Sequence, residues 1–156
     1  MAGSSISDGF SKLIPGFSSY QSEQKRRDDD VGVRKYLASR LQECKRDLQL
    51  IVAPLVDAAN FDAIKRGEKL RVAIETMQSR LRSAVEGYSS WFESARVDEA
   101  KLKQVVVLDN DLVAVVDRLQ HEIGKISKES PNFDESEAVV IELKERFSRR
   151  SDLLSK

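Results

Sequence analysis

Apolar side chains recur along this chain in steps of three and four, the spacing that places them on one face of an α-helix. The first such stripe is Leu37, Leu41, Cys44, Leu48, Ile51 and Leu55, with steps of 4, 3, 4, 3 and 4. It predicts a helix from about Ser22 to Ala58, with Gly32 weakening its start and Pro54 bending or ending it. A second stripe, Leu70, Ile74, Met77, Leu81, Ala84, Tyr88, Trp91 and Ala95, predicts a helix over 60–97, with Asn60 as N-cap and Asp62 in its first turn. A third runs Leu102, Val105, Asp109, Leu112, Val116, Leu119, Ile123 and Ile126, in a helix over 99–126 that Asp98 is placed to cap. Val105-Val106-Val107-Leu108 reads as a strand in isolation, but the helical period on both sides outvotes it. After a turn at 127–131, Asn132 and Glu135 have capping-box spacing, and Val140, Leu143, Phe147 and Leu154 mark a shorter helix over 133–153. Acidic residues open that helix and basic ones close it, which suits its dipole.

Three long helices joined by short connections near Ala59 and Val97 must share a core, since each stripe alone would face water. The expected fold is all-α: an elongated antiparallel three-helix bundle with a shorter fourth, C-terminal helix. The bundle domain is read as 21–156. Residues 1–20 stand apart, with one acid (Asp8), one base (Lys12) and the short apolar face Phe10, Leu13, Ile14 and Phe17, which Pro15-Gly16 interrupts. Too short to be stable alone, this segment is expected to be partly disordered or docked on the bundle, on a partner or on a lipid surface.

The composition narrows the function classes. The 156 residues carry 26 Lys and Arg against 26 Asp and Glu, so there is no basic excess of the kind that binds nucleic acid. Helix 2 is mildly basic and helix 3 mildly acidic, fields read as facing each other or alternating around the bundle. Lys25-Arg26-Arg27 is followed at once by Asp28-Asp29-Asp30, and the two runs cancel or pair within the helix. One cysteine, Cys44, excludes a disulfide scaffold and sits on the first apolar stripe as a core thiol. No apolar run is long enough for a membrane span, and the first residues lack the pattern of a secretory signal. The expected location is cytoplasmic, or peripheral to a membrane if residues 6–20 touch lipid.

Candidate chemistry is sparse. No phosphate-binding glycine loop, HExxH, CxxC or nucleophile elbow is present. The single histidine, His121, falls off the core register and is read as solvated, with a weak metal contact to Asp117 as the sharper alternative. Asp109 is the one acid on an apolar stripe, and if buried it needs an Arg or Lys from a facing helix. No cofactor and no enzymatic activity are expected. The expected role is a protein-interaction, scaffold or adaptor domain acting through a protein partner or self-association, with a membrane-associated protein and an enzyme or metal-binding bundle as alternatives. The candidate interaction residues are Phe10, Leu13, Ile14 and Phe17 at the start, and Tyr88, Trp91 and Phe92 at the end of helix 2.

Lys12-Leu13-Ile14-Pro15-Gly16-Phe17-Ser18-Ser19-Tyr20, followed by a charged helix with Arg26-Arg27 and Tyr36-Leu37, resembles the start of an uncharacterised family of small helical bacterial proteins. That resemblance implies a helical fold and carries no activity or catalytic residue. In shape alone the expected bundle is similar to spectrin-like three-helix domains.

Overall fold

In the computed structural model, residues 13–83 and 99–155 are described. A single 3-10 turn, Glu23–Lys25, leads into helix α1, Arg26–Asp57; α2 is Phe61–Ser83, α3 is Glu99–Gly124 and α4 is Asp134–Ser155. Together they form an elongated antiparallel four-helix bundle, with no strand among the described residues. The 32 residues of α1 span about 48 Å at 1.5 Å per residue.

The stripes read from the sequence are the core. Leu37, Leu41, Cys44, Leu48, Ile51 and Leu55 on α1 are buried, as are Leu70, Ile74, Met77 and Leu81 on α2. Helix α3 buries Leu102, Val105, Asp109, Leu112, Val116, Leu119 and Ile123, and its valine run is helical throughout. Helix α4 is a full member of the bundle rather than an appendage. Its 22 residues stand beside 23 described residues of α2, and it buries Val139, Val140, Leu143, Phe147 and Leu154. The second half of the predicted helix 2, with Tyr88, Trp91 and Phe92, lies outside the described residues.

The helices form two antiparallel hairpins, α1–α2 and α3–α4, which meet along α1–α3 and α2–α4. Across the first contact, Arg40 pairs with Asp117 at 2.9 Å and Gln120 donates to Asp47 at 3.3 Å, so α1 and α3 rise together. Across the second, Arg66 lies 2.6 Å from Asp134 and the Arg80 guanidinium sits 5.1 Å from the centre of the Phe147 ring. Arg66 of α2 therefore meets the acidic first turn of α4 through Asp134 and Glu137. Gly67 lets α2 approach α1 closely: a Cβ there would lie 2.5 Å from a Val52 methyl, with the Phe133 ring at 3.5 Å beside it.

The turns follow from local chemistry. Helix α1 passes through Pro54 and stops at Asp57. Ala59 takes a left-handed φ of 53°, and the amides of Ala59 and Asn60 donate back to Val56 and Leu55 at 3.0 and 3.1 Å, the bond pattern of a Schellman cap. Asn60 then caps α2 by accepting from the Ala63 amide at 3.3 Å. At α4 the expected capping box is replaced by a shorter loop. Asn132 accepts from the Asp134 amide at 2.9 Å, two residues on, and the helix starts at Asp134.

Candidate functional site

The chemistry-bearing side chains converge at one end of the bundle, where α1 and α3 begin and α2 and α4 finish. Asp109 is buried, and its partner is an arginine from the facing helix, as its place on an apolar stripe requires. Arg150 of α4 donates through Nε to Asp109 Oδ1 at 2.5 Å. The same guanidinium lies 2.7 Å from Asp30 Oδ1 of α1. Asp30 also accepts from Arg34 one turn on, Nε to Oδ2 at 3.0 Å, and Arg34 Nη1 reaches the Leu81 carbonyl near the end of α2 at 2.8 Å. Two arginines and two aspartates thus balance in charge and touch all four helices.

The fifth member comes from the segment before the bundle. Tyr20 has no solvent-exposed surface, and its hydroxyl donates to Asp109 Oδ2 at 2.5 Å while accepting from Arg150 Nη2 at 3.1 Å. A tight turn delivers it. Gln21 N donates to the Ser18 carbonyl at 3.2 Å, and Ser19 and Tyr20 between them have φ of 54° and 63°. Two positive φ values make this a type I′ geometry, usually built from Asn and Gly and strained for other residues. Asp29 holds it by accepting from the Ser18 amide at 3.0 Å, the Ser18 hydroxyl at 2.5 Å and the Tyr20 amide at 2.9 Å. Arg26 adds a bond from Nε to the Tyr20 carbonyl at 2.9 Å.

Electrostatics follow from burial. Exclusion of water and the neighbouring Asp109 carboxylate hold the Tyr20 phenol well above its ordinary range, so it stays a neutral donor. Burial likewise pushes the Asp109 carboxyl up, against the opposing pull of Arg150. Burial alone would lower the Arg150 guanidinium, but Asp109, Tyr20 and Asp30 outweigh it and hold it well above its usual value. The cluster is therefore a buried ion-pair network that joins all four helices to the segment before them.

Two further groups behave as the sequence implied. Cys44 is buried and its thiol is pushed up to about 12, chiefly by desolvation, which makes it a core thiol. His121 is exposed on α3. Among the described residues no group of three or more side chains is arranged to hold a metal ion, and no helix is long and apolar enough to cross a membrane.

Of the candidate interaction residues, Leu13, Ile14 and Phe17 are among the described residues. Ile14 is buried against α1, where the absent side chain of Gly32 makes room: a Cβ there would meet the Ile14 methyl at 2.8 Å. Phe17 is half-buried and stacks edge-on to Tyr20 at 5.9 Å, while Leu13 is half-exposed. Phe10, Tyr88, Trp91 and Phe92 lie outside the described residues. At Pro15-Gly16, where the apolar face was expected to be interrupted, the chain turns over 14–17, closed by the Phe17 amide on the Ile14 carbonyl at 3.2 Å, with Gly16 at a φ of 75°.

Sequence reasoning missed Tyr20, Asp29, Asp30, Arg34 and Arg150. For three of them a signal was present. The α1 stripe extends backward in step as Asp30, Arg34, Leu37, and Arg150 fills the gap between Phe147 and Leu154. All four charged members of the network occupy core-register positions on their helices. Compared with known family models, curated proteins and solved structures, the chain has no match.

Proposed function

We propose that this chain is a rigid helical interaction domain, a scaffold or adaptor that acts through protein contacts in a reducing compartment and performs no chemistry of its own. The observation that carries the reading is the division of labour between inside and outside. The charged groups best suited to catalysis are sequestered in the bundle, where Asp109 and Arg150 are almost fully buried. Large apolar side chains are instead left on the surface, among them Val56 and Phe61 on either side of the α1–α2 turn, 61% and 74% exposed, with Leu50, Val72, Val107 and Ile141 elsewhere on the bundle. Val56 and Phe61, held beside a well-capped turn, offer a contact that costs little entropy to order on binding.

The test is affinity capture from cell extract with the full chain and with a Val56→Ser, Phe61→Ser double variant. The reading expects a partner whose capture is lost in the variant while the melting temperature stays within a few degrees. Equal capture by both forms would place the contact elsewhere, and an unchanged monomer that captures nothing would count against the interaction role.

A further inference from the structure

We propose that the outer face of α2 docks a second copy of this chain, laid antiparallel so that Phe61 meets the partner's Val72 and Lys65 meets the partner's Glu68. This names the partner class of the interaction reading above and rests on that reading. Phe61, Lys65, Glu68 and Val72 follow one another in steps of 4, 3 and 4, which puts them on one face of the helix. That face lies opposite the line Ala63, Gly67, Leu70 and Ile74, by which α2 enters the core. All four side chains are exposed. The two apolar ones end the row, Phe61 74% and Val72 48% exposed.

The charges choose the occupant and its direction. Turning the row end for end about the point between Lys65 and Glu68 sets Phe61 on the partner's Val72 and Lys65 on the partner's Glu68, each twice by two-fold symmetry. On one flank Asp62 then faces the partner's Lys69, again twice. Each of these four charged positions meets its opposite. A parallel pair does the reverse, with Lys65 on the partner's Lys65 and Glu68 on the partner's Glu68, and like charges set against each other oppose that arrangement.

These charges are available for the contact. Among the described residues, Asp62, Lys65 and Lys69 form no ion pair within the chain. Lys65 and Lys69 stand one turn apart, a like-charge pair that a second copy neutralises. Glu68 pairs with Arg71 of its own helix at 2.6 Å, and a carboxylate has lone pairs for a lysine as well. Helix α2 has α1 on one side and α4 on the other, so its outer face sets one helix against one helix. A contact of that size is small, and the dimer is weak, with a Kd on the order of 100 μM.

The test is sedimentation equilibrium of the full chain from about 10 μM to about 1 mM, a range that brackets the expected Kd. The chain is expected to pass from monomer to dimer across it. Lys65→Glu sets an acid on the partner's Glu68 and is expected to weaken the dimer at least about tenfold. Adding Glu68→Lys exchanges the two charges and is expected to restore it. Val72→Ser, which alters no charge, is expected to weaken it by a similar factor. Circular dichroism should find the melting temperature of each variant within a few degrees of the parent, since the positions are exposed. A monomer throughout, a dimer indifferent to Lys65→Glu and Val72→Ser, or a charge exchange that restores nothing would each overturn the second copy. A chain monomeric throughout that still captures a partner, with capture lost in the Val56→Ser, Phe61→Ser form, overturns the second copy and leaves the interaction reading standing.

Discussion

Replacing Asp109 by alanine removes one carboxylate on which two buried groups depend. Arg150 loses the acceptor at 2.5 Å but keeps Asp30 at 2.7 Å. The Tyr20 hydroxyl loses its own acceptor at 2.5 Å inside a site closed to water. Breaking a buried ion pair from one side costs about 3–5 kcal/mol, because the remaining charge stays desolvated. An orphaned buried hydroxyl adds about 1–3 kcal/mol when nothing replaces the bond. Two offsets act the other way: Asp30 still neutralises Arg150, and the variant no longer carries the cost of burying Asp109, which shows as its raised carboxyl. The expected loss is about 3–4 kcal/mol, a fifth or more of the ~5–15 kcal/mol that typically holds a domain together. Urea unfolding followed by far-ultraviolet circular dichroism reads it as a lower midpoint at unchanged slope. Arg71→Ala serves as control, since that arginine pairs with Glu68 and Glu75 on the surface of α2 and its loss should barely move the midpoint. A loss below about 1 kcal/mol for Asp109→Ala would refute the reasoning, since it would make the buried network worth no more than a surface pair.

Other consequences are equally open to measurement. Gly67→Ala should lower stability by about 1–3 kcal/mol through overpacking against Val52, although helix propensity alone favours alanine by about 1 kcal/mol; the sign of the urea midpoint shift decides which effect wins. Ala59→Gly should raise stability by about 0.5–1 kcal/mol, since it removes the left-handed strain at the α1 cap, and a lower melting temperature would contradict the cap geometry. Cys44 should resist alkylation at mildly alkaline pH and react at once in denaturant, because burial pushes its thiol up to about 12; mass spectrometry of timed iodoacetamide reactions checks this. In alkali the sign follows from Tyr20. Its folded pKa lies above the ordinary 10.0, so its contribution to stability is complete below that pH and is lost as pH rises beyond it. Ultraviolet titration should then find at least one of the three tyrosines ionising only as helicity is lost.

The helices were legible because burial of an apolar face imposes a period that survives without any tertiary knowledge. The steps from Leu37 to Leu55 and from Leu102 to Ile123 name the buried side chains directly. Asp109 was legible in a stronger sense: its place on that period implied burial, and burial implied a basic partner across the bundle. The rest of the network was not read, because charged residues were assigned to the surface by type rather than by register. Asp30, Arg34 and Arg150 keep step with their stripes, so the period located them and their polarity hid them. Tyr20 is a different case. Its burial depends on a strained turn without glycine or asparagine at its centre, held by an aspartate nine residues away, and no local propensity encodes that arrangement. The triple-aspartate run misled for the same reason: Asp28 faces outward while Asp29 and Asp30 turn in, so the run does not act as one charge block.

The segment before the bundle is tied to α3 and α4 through a buried network, and a double-mutant cycle between Tyr20→Phe and Asp109→Ala measures that tie. The two residues are 89 positions apart and joined by one hydrogen bond. The network predicts non-additive losses, with a coupling of about 1 kcal/mol or more between the two sites. Losses that add to within about 0.3–0.5 kcal/mol would show that Tyr20 and Asp109 do not meet in solution, and would contradict the account.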